Sequence, residues 1–534
     1  MKLELILHHA KIYTQDPARP WAEAVACAQG RIVAVGSNEA ILGLAEPQTQ
    51  RIDLAGQLVL PGLIDAHVHF LQFAIRRHQA NLFGVTALAE VEQRVAQAVA
   101  QAGPGQWVQG WGWDEHAWDR QPEPGWLDRL APHNPLVLAR LDMHTWWVNQ
   151  AALQQAGLDQ NTPDPPESRL ERDATGRPTG ILREWNAIRL VEQHLPKPDE
   201  ATLKAWLESA IGEAHRLGLT GIHDQRVEGE GRRNLRLLQA LQREGKLRLR
   251  VHLNLAADFL GEINRLGLQP GFGNDRLWLG HVKVFADGTL GSRTASMLEP
   301  FEGEPDNYGL IVTSSQRLAE LAAQADQAGF SLSIHAIGDR AVREVIDVLS
   351  EFPPDLTAGS GRLPHRIEHV QTIHPLDMAR LAPHQLVASM QPVHLMFDHA
   401  PADRLWGRRG RYTYAFRSLL DQGVRLALGS DAPVAPLSPL LGIQAALTRQ
   451  DEQGRPAGGW YPAERISLAE AIAGYTLGPA DLAGKAPVQG SISPGKWADM
   501  IVLARNLFEI PAEEIGETEV RLTVFNGQVV YAAG

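Results

Sequence analysis

The sequence predicts an α/β protein: a (β/α)8 barrel of the TIM type, with a small β-sandwich domain formed by both termini and an insertion after the first barrel strand. Three observations predict it. Both ends of the chain are β-rich, eight strand-like runs alternate with helical patterns through the middle, and one interval between those runs is far too long for a single helix. The 534 residues leave room for two to four domains at roughly 150 residues each.

Residues 1–62 contain short apolar, β-branched runs such as LELILHHAKIYT and EAVACAQGRIVAVG, broken by Gly and polar turns. The pattern resumes at 488–534 in ADMIVL and VRLTVFNGQVVYA, where Asn526-Gly527 reads as a hairpin turn. One β-domain built from both ends is the economical reading. Between them, 63–487, lie the barrel strands: LIDAHVHF (63–70), LTGIHD (219–224), LRVHLNLA (249–256), LGHVKVFADG (279–288), FSLSIHAIGD (330–339), HRIEHV (365–370), LVASMQPV (386–393) and VRLALGSDAPV (424–434). Helical stretches such as SQRLAELAAQADQAG and DRAVREVIDVLSEF separate them. An open doubly wound sheet is the alternative, but the first strand is not followed by a Gly-rich dinucleotide turn. The interval from His69 to Leu219 places an insertion at about 85–205, and loops that long are structured or functional.

Composition removes several function classes. Lys+Arg is 50 and Asp+Glu 62, a net charge of −12, which does not suit a nucleic-acid binder. The single cysteine, Cys27, makes no intrachain disulfide and no Cys-based zinc cluster. No apolar run approaches a membrane span, and the first residues lack a signal-peptide pattern. The expected setting is cytoplasmic, with a small-molecule substrate and, as a base rate, a homodimer.

The unusual count is 20 histidines, and they fall at strand ends. His67 and His69 close the first strand and share a face, because residues i and i+2 do so in a strand. Chance alone gives about 0.75 His-x-His pairs here, so the pair has meaning only with its companions. Those are Lys283 in the fourth strand, His335 ending the fifth, His369 ending the sixth and Asp431 after the eighth. Catalytic groups of such barrels sit at C-terminal strand ends, so these six are expected at one mouth. Neutral imidazoles and a carboxylate suit a divalent metal with a position open for water. Lys283 shares its face with His281 and Phe285 in an uncharged strand, and a buried ammonium is costly unless paired or chemically altered.

These motifs resemble a known family. LPGLIDAHVHF is similar to the first, metal-binding strand of the amidohydrolase superfamily, and GSISPGKWADMIVL to that superfamily's return into its β-sandwich. WVQGWGWDE, ARLDMHTWWVNQAAL, KVFADGTLGSRTA, SIHAIGDRAV, RIEHVQ, SMQPVH and LGSDAPVAPLSPLLGIQAALTR resemble the YtcJ-like and N-substituted formamide deformylase-like subgroup, amidohydrolase family 3. The resemblance runs from about residue 3 to 532, with one departure: Met143 stands between Asp142 and His144 where the subgroup has Gly.

The resemblance implies two divalent metal ions, zinc by default. His67, His69 and Asp431 hold the first, and His335 and His369 the second. Lys283, carboxylated by CO2 to a carbamate, bridges them. It also implies hydrolysis of a non-peptide C–N bond, in an amide such as an N-formyl or N-acyl amine, by a metal-activated hydroxide with Asp431 as proton shuttle. Substrate contacts are expected from His394 at the end of the seventh strand and from His144, Trp113 and Arg293; His223, Asp224, Arg140 and Tyr412 are further candidates. Seven of the 14 tryptophans lie between positions 107 and 147, as a subdomain core or an apolar pocket. His8, His9 and His133 read as surface residues. Three alternatives stand beside this: a mononuclear deaminase-like enzyme acting on an aminated heterocycle, a non-catalytic assembly protein, and a metal-assisted reaction other than hydrolysis, such as decarboxylation or isomerisation.

Overall fold

A computed structural model of the chain describes every residue except 1, 115–117, 121, 124, 142–144, 167, 226–230 and 358. It forms two compact units, Met1–Phe70 with Leu207–Gly534, and Leu71–Trp206.

The first unit contains an eight-stranded sheet: β1 Leu63–Val68, β2 Leu219–Asp224, β3 Arg250–Ala256, β4 Leu277–Phe285, β5 Leu332–Ala336, β6 Arg366–His369, β7 Val387–Met390 and β8 Arg425–Leu428. These are the eight runs expected of the barrel. They lie side by side in chain order, and every neighbouring pair is parallel. Parallel strands are covered on both faces, which explains why they read as nearly unbroken apolar runs. Residues beyond β8 close the ring. Ala432 bridges Val68 in parallel, His69 N–H donates to Ala432 O at 2.9 Å, and Asp431 N–H donates to His67 O at 2.6 Å.

The helices between strands follow from spacing. Ser315–Gln327 buries Leu318, Leu321, Ala322 and Ala325, an i, i+3, i+4, i+7 stripe, and the Ser314 side chain caps its start by accepting from Arg317 N–H. Asp339–Ser350 buries Val342, Val345, Ile346 and Leu349 on one face. Each such side chain contributes about 1.5–3 kcal/mol when fully buried, so a charge at Val345 would undo that face.

The barrel interior is polar. Trp278 Nε1–H donates to His252 Nδ1 (3.0 Å), His252 Nε2 lies 3.1 Å from His281 Nδ1, and His281 Nε2 lies 2.9 Å from Pro364 O. Trp278 can only donate, so it sets one proton direction along the relay. Gly280 makes room for it, since a Cβ there would sit 2.1 Å from His252 Nε2.

Both termini build the β-rich part of this unit. One four-stranded sheet runs Arg31–Gly36, Ala24–Ala28, Leu5–His8, Gln50–Asp53. A six-stranded sheet places Leu58–Pro61 beside Met500–Leu503, next to Val520–Phe525 and Gln528–Ala532. The last two are joined by Asn526-Gly527, both at positive φ (52° and 75°), as a two-residue hairpin turn requires.

The second unit has its own six-stranded sheet: Arg169–Arg172, Pro178–Arg183, Thr145–Val148, Leu136–Arg140, Val108–Trp113, Ala80–Asn81. Trp113, Trp118 and Trp126 belong to its hydrophobic core. Trp126 stacks on Trp147 with ring centroids 5.4 Å apart. Among the described residues of the chain, no helix is long and apolar enough to cross a membrane.

Candidate metal centre

The parallel register brings the predicted residues to one end of the barrel. Lys283 pairs in register with Ser333, two residues before His335, and His335 is level with Glu368, the residue before His369. Ring centroids run 5.6 Å from His69 to His67, 4.9 Å from His67 to His369 and 4.5 Å from His369 to His335. Strict alternation would turn His369 away from Glu368, but His369 has φ of 71° and the break in the strand re-aims its ring. Asp431 also has positive φ, 59°, and its carboxylate faces the first histidine pair. Its Oδ1 lies 3.3 Å from His67 Nε2 and 3.2 Å from His69 Nε2.

Hydrogen bonds set the tautomers. His67 Nδ1 is 2.7 Å from Glu368 Oε2, so Nδ1–H donates and Nε2 is left bare. His369 Nδ1–H donates to Gln391 Oε1 at 2.8 Å, again freeing Nε2. His335 Nε2–H donates to Gly288 O at 3.0 Å, which leaves Nδ1 bare. Burial, then Lys283, pushes His335 down to about 3, and burial holds His369 well below the imidazole range. The His335 and His369 rings are therefore neutral ligand donors at physiological pH.

The carboxylates are charged. Burial alone would raise Asp431, but the His67 and His69 rings outweigh it and hold the carboxyl well below its usual range. Burial would likewise raise Glu368, yet Arg366 and His67 prevail. Lys283 is 3% exposed, and its Nζ has no hydrogen-bond partner among the described residues. Burial pulls its amine down to about 8, against the pull of Glu368 and Asp431.

These observations fit a divalent cation. His67, His69 and Asp431 each offer one ligand atom, all within 4.8 Å of one another. Metal–nitrogen bonds of about 2.0–2.1 Å give a tetrahedral edge of roughly 3.3–3.4 Å, close to the separations of Asp431 Oδ1 from the two imidazoles. The orphaned Lys283 Nζ is the other half of the fit: a buried amine near neutrality is one that can react with CO2.

The remaining candidates separate. His394 joins the site: its ring centroid is 6.4 Å from His369, and its Nε2 is 3.0 Å from Ser430 O and 3.9 Å from Asp431 Oδ2. His223 points into the barrel, where Arg366 Nη1 lies 3.0 Å from its Nδ1 and the His252 ring 4.4 Å away. Asp224 accepts from Phe70 N–H and Asn234 Nδ2–H. Arg293 is half exposed and pairs with Glu304. Trp113 is buried in the core of the second unit, its Nε1–H donating to Leu138 O at 2.9 Å. Arg140 of that unit pairs with Asp114 at 2.9 Å. His144 lies outside the described residues, as do Asp142 and Met143.

Sequence reasoning passed over Arg366, Glu368 and Asp65. Arg366 and Glu368 form a fully buried ion pair beneath His67. Their signal was an i, i+2 pair of opposite charges inside a four-residue strand. Asp65 Oδ1 accepts from His67 N–H (2.9 Å) and Ser430 N–H (3.0 Å), tying β1 to the segment after β8. Gly429 stands at that seam because a Cβ would meet His67 N at 2.5 Å and Asp65 Oδ1 at 2.6 Å.

A parallel eight-stranded barrel with imidazoles and a carboxylate gathered at its strand ends defines a metal-dependent hydrolase class. The amidohydrolase family model matches residues 50–531, and the chain belongs to the amidohydrolase family, hydrolases of carbon–nitrogen bonds. Among its relatives is the protein LONG AFTER FAR-RED 3 of Arabidopsis thaliana, 33% identical over 99% of this chain and 91% of that protein. YtcJ of Bacillus subtilis (strain 168) is 32% identical over 99% of each. N-substituted formamide deformylase of Arthrobacter pascens is 28% identical over 99% of this chain and 98% of that one. Among solved structures, an uncharacterized metal-dependent hydrolase from Pyrococcus furiosus superposes with a TM-score of 0.75 at 27% identity, over 94% of this chain and 99% of that one.

Proposed function

We propose that this protein hydrolyses the C–N bond of a small N-acyl or N-formyl amine. The observation that carries the reading is the convergence of His67 Nε2, His69 Nε2 and Asp431 Oδ1 at the barrel mouth. Similarity to the formamide deformylase supports the substrate class. His67, His69 and Asp431 would hold one divalent cation and His335 and His369 a second. Zinc is the first metal to test, because imidazole and carboxylate are its common ligands. The neutral Lys283 amine would attack CO2, form an N–C bond and release a proton, and the resulting carbamate would bridge the two cations. Bound there, the cations would acidify a water and polarise the substrate carbonyl.

The chain's own residues do the rest. Asp431 Oδ1 faces His67 and His69, which leaves Oδ2 to take the water's proton and pass it to the departing nitrogen. Glu368 fixes the His67 ring through Nδ1. Gln391 does the same for His369. His394 stands on the Oδ2 side of Asp431 and is the side chain expected to touch substrate.

The test is metal content per chain by mass spectrometry on untagged protein purified without chelator, followed by a panel of N-formyl amines, N-acyl amines and aryl amides. Two metals per chain and amide cleavage are expected. Compared at equal metal content, Asp431→Asn should lose about 10²–10⁴-fold in turnover; near wild-type turnover with metal retained would sink the shuttle role. One metal per chain, with aminated heterocycles turned over in place of amides, would establish the mononuclear deaminase reading. Absence of metal, unrestored by zinc and bicarbonate, would overturn the metal centre.

A further inference from the structure

A second group of metal-type ligands lies in the terminal β-domain, outside the barrel site. His8 ends the strand Leu5–His8, and Asp53 ends the neighbouring parallel strand Gln50–Asp53, in register with it. Level residues on parallel neighbours project to the same face. His9 comes next in the chain and would point the opposite way in a continued strand. It does not continue the strand: its φ is 51°, in the left-handed region, and its ring returns to within 4.7 Å of the His8 ring, centroid to centroid. His8 Nδ1 and His9 Nδ1 are 3.3 Å apart, and His9 Nδ1 is 2.8 Å from Asp53 Oδ2. The three ligand atoms lie within 4.8 Å of one another.

We propose that His8, His9 and Asp53 form a separate zinc site that clamps the strand Gln50–Asp53 to the strand Leu5–His8. A neutral imidazole carries one N–H, so two Nδ1 atoms facing each other are held either by one shared proton or by a cation between two bare nitrogens. The separation suits the cation. Zinc–nitrogen bonds of about 2.0–2.1 Å give a tetrahedral edge of roughly 3.3–3.4 Å, which is the observed Nδ1–Nδ1 spacing. The carboxylate edge is shorter and opens by a swing of Asp53, whose side chain is 56% exposed. On binding, His9 passes its Nδ1 proton to Nε2, and a fourth position stays open to water.

The backbone under the three ligands is pinned. His9 N–H donates to Asn38 Oδ1 at 2.7 Å. Leu54 N–H and Gly56 N–H donate to His8 O (2.9 Å) and His9 O (2.6 Å), and Ala55 N–H holds Asp53 Oδ1 at 3.0 Å. Asp53 Oδ2 is thereby the oxygen turned to the imidazoles. His8 is buried while His9 and Asp53 are exposed, so one ligand is anchored and the approach lies on the solvent side. The strand Gln50–Asp53 is an edge of its four-stranded sheet, and a cation there fastens that edge to the neighbouring strand Leu5–His8. None of the three residues belongs to the barrel set, so the proposal stands or falls independently of the proposed function.

The test is equilibrium dialysis of the untagged full-length protein against a series of buffered free Zn²⁺ concentrations, with bound zinc counted by mass spectrometry. Wild type should hold one more zinc per chain than His9→Ala and one more than Asp53→Asn. Zinc should slow amide hydrogen exchange across residues 50–54 in wild type and in neither variant. Equal zinc content in wild type and both variants at every free concentration would overturn the site. Unchanged exchange across 50–54 on adding zinc would overturn the clamp.

Discussion

Replacing Glu368 by Gln tests how His67, a proposed ligand, is held. Glu368 is fully buried. Its Oε2 accepts from His67 Nδ1–H at 2.7 Å and from Arg366 Nη2 at 3.0 Å, and its Oε1 accepts from Ser333 Oγ at 2.6 Å and from Arg366 Nε. Gln has the same shape but puts an NH2 where one oxygen was. Turned one way, that NH2 faces His67 Nδ1–H, and the ring loses the acceptor that fixes its tautomer. Turned the other way, it faces Arg366 Nε. In both cases the buried guanidinium loses its counter-charge. Removing one partner of a buried pair costs about 3–5 kcal/mol, though Ala66 O and Ser389 Oγ still accept from Arg366 (2.6 and 2.7 Å) and temper the loss. Loss of the carboxylate behind a ligating histidine weakens metal binding about 10–100-fold. Zinc affinity by chelator competition and the urea midpoint of the metal-free protein separate the two effects. A Glu368→Gln protein that binds zinc as tightly as wild type would refute the assignment of His67 as a ligand oriented by Glu368.

Two further outcomes concern stability. His365 accepts from Leu332 N–H at Nδ1 and lies 2.9 Å from Phe352 O through Nε2, and burial pulls it down to about 4. Burial likewise holds His223, His252 and His281 well below the imidazole range. The unfolded chain protonates these four rings near pH 6.5 and the folded chain does not. Their contribution is therefore complete above about pH 6.5 and falls as pH drops towards 4, by about 1.4 kcal/mol per pH unit per ring. Asp65 and Asp287, raised by burial to about 6 and about 7, act with the opposite sign because the folded state protonates first. Near pH 5 the six groups leave a net of about two protons, or roughly 2.7 kcal/mol per pH unit. His365→Gln should make the fall of the urea midpoint between pH 6 and 4.5 shallower by one ring's share; an unchanged pH profile would contradict the sign and the source. Asn149 caps the helix Gln150–Gln155 by accepting from Ala152 N–H, also accepts from Leu136 N–H, and donates to Ala131 O and Asn134 O. Asn149→Ala strands all four groups and should cost about 3 kcal/mol or more, seen as faster limited proteolysis within Leu71–Trp206; wild-type resistance there would argue against it.

The barrel was legible because its strands are parallel and covered on both faces, so each survives in the sequence as a continuous apolar run. Strand ends were less so. The run 424–434 reads as one strand, while β8 stops at Leu428. Ser430, Asp431 and Ala432 stay buried and keep the apolar pattern although the left-handed Asp431 has ended the strand. The same physics limits the site. His67 and His69 follow from period-two geometry, but His369 reaches the mouth only because its φ breaks that period, and composition does not encode a φ. The Arg366–Glu368 pair was hidden by its brevity: four residues show two charges without showing that both are inside. His8 and His9 read as surface residues for the same reason, since the backbone reversal that brings their rings together is a property of the turn.

Closing the barrel and bringing the proposed ligands together are one structural event. The seam between the first and last strands is made by Asp431 N–H on His67 O, His69 N–H on Ala432 O, and the Asp65 carboxylate accepting from both His67 N–H and Ser430 N–H. Three of the six proposed ligands thus sit in the hydrogen bonds that shut the ring. Their spacing is fixed by main-chain geometry more than by side-chain rotamers, which suits a site that must hold Asp431 Oδ1 within 3.3 Å of two imidazoles. It also explains a cost the fold accepts. Asp65 is buried and raised to about 6 by that burial, a poor choice for stability alone, yet no apolar side chain could accept two backbone N–H groups across the seam. Gly429 serves the same end, since any Cβ there would push the seam apart. The LGSDAP stretch is therefore best understood as the clasp of the barrel, with the Asp431 carboxylate placed on the clasp itself.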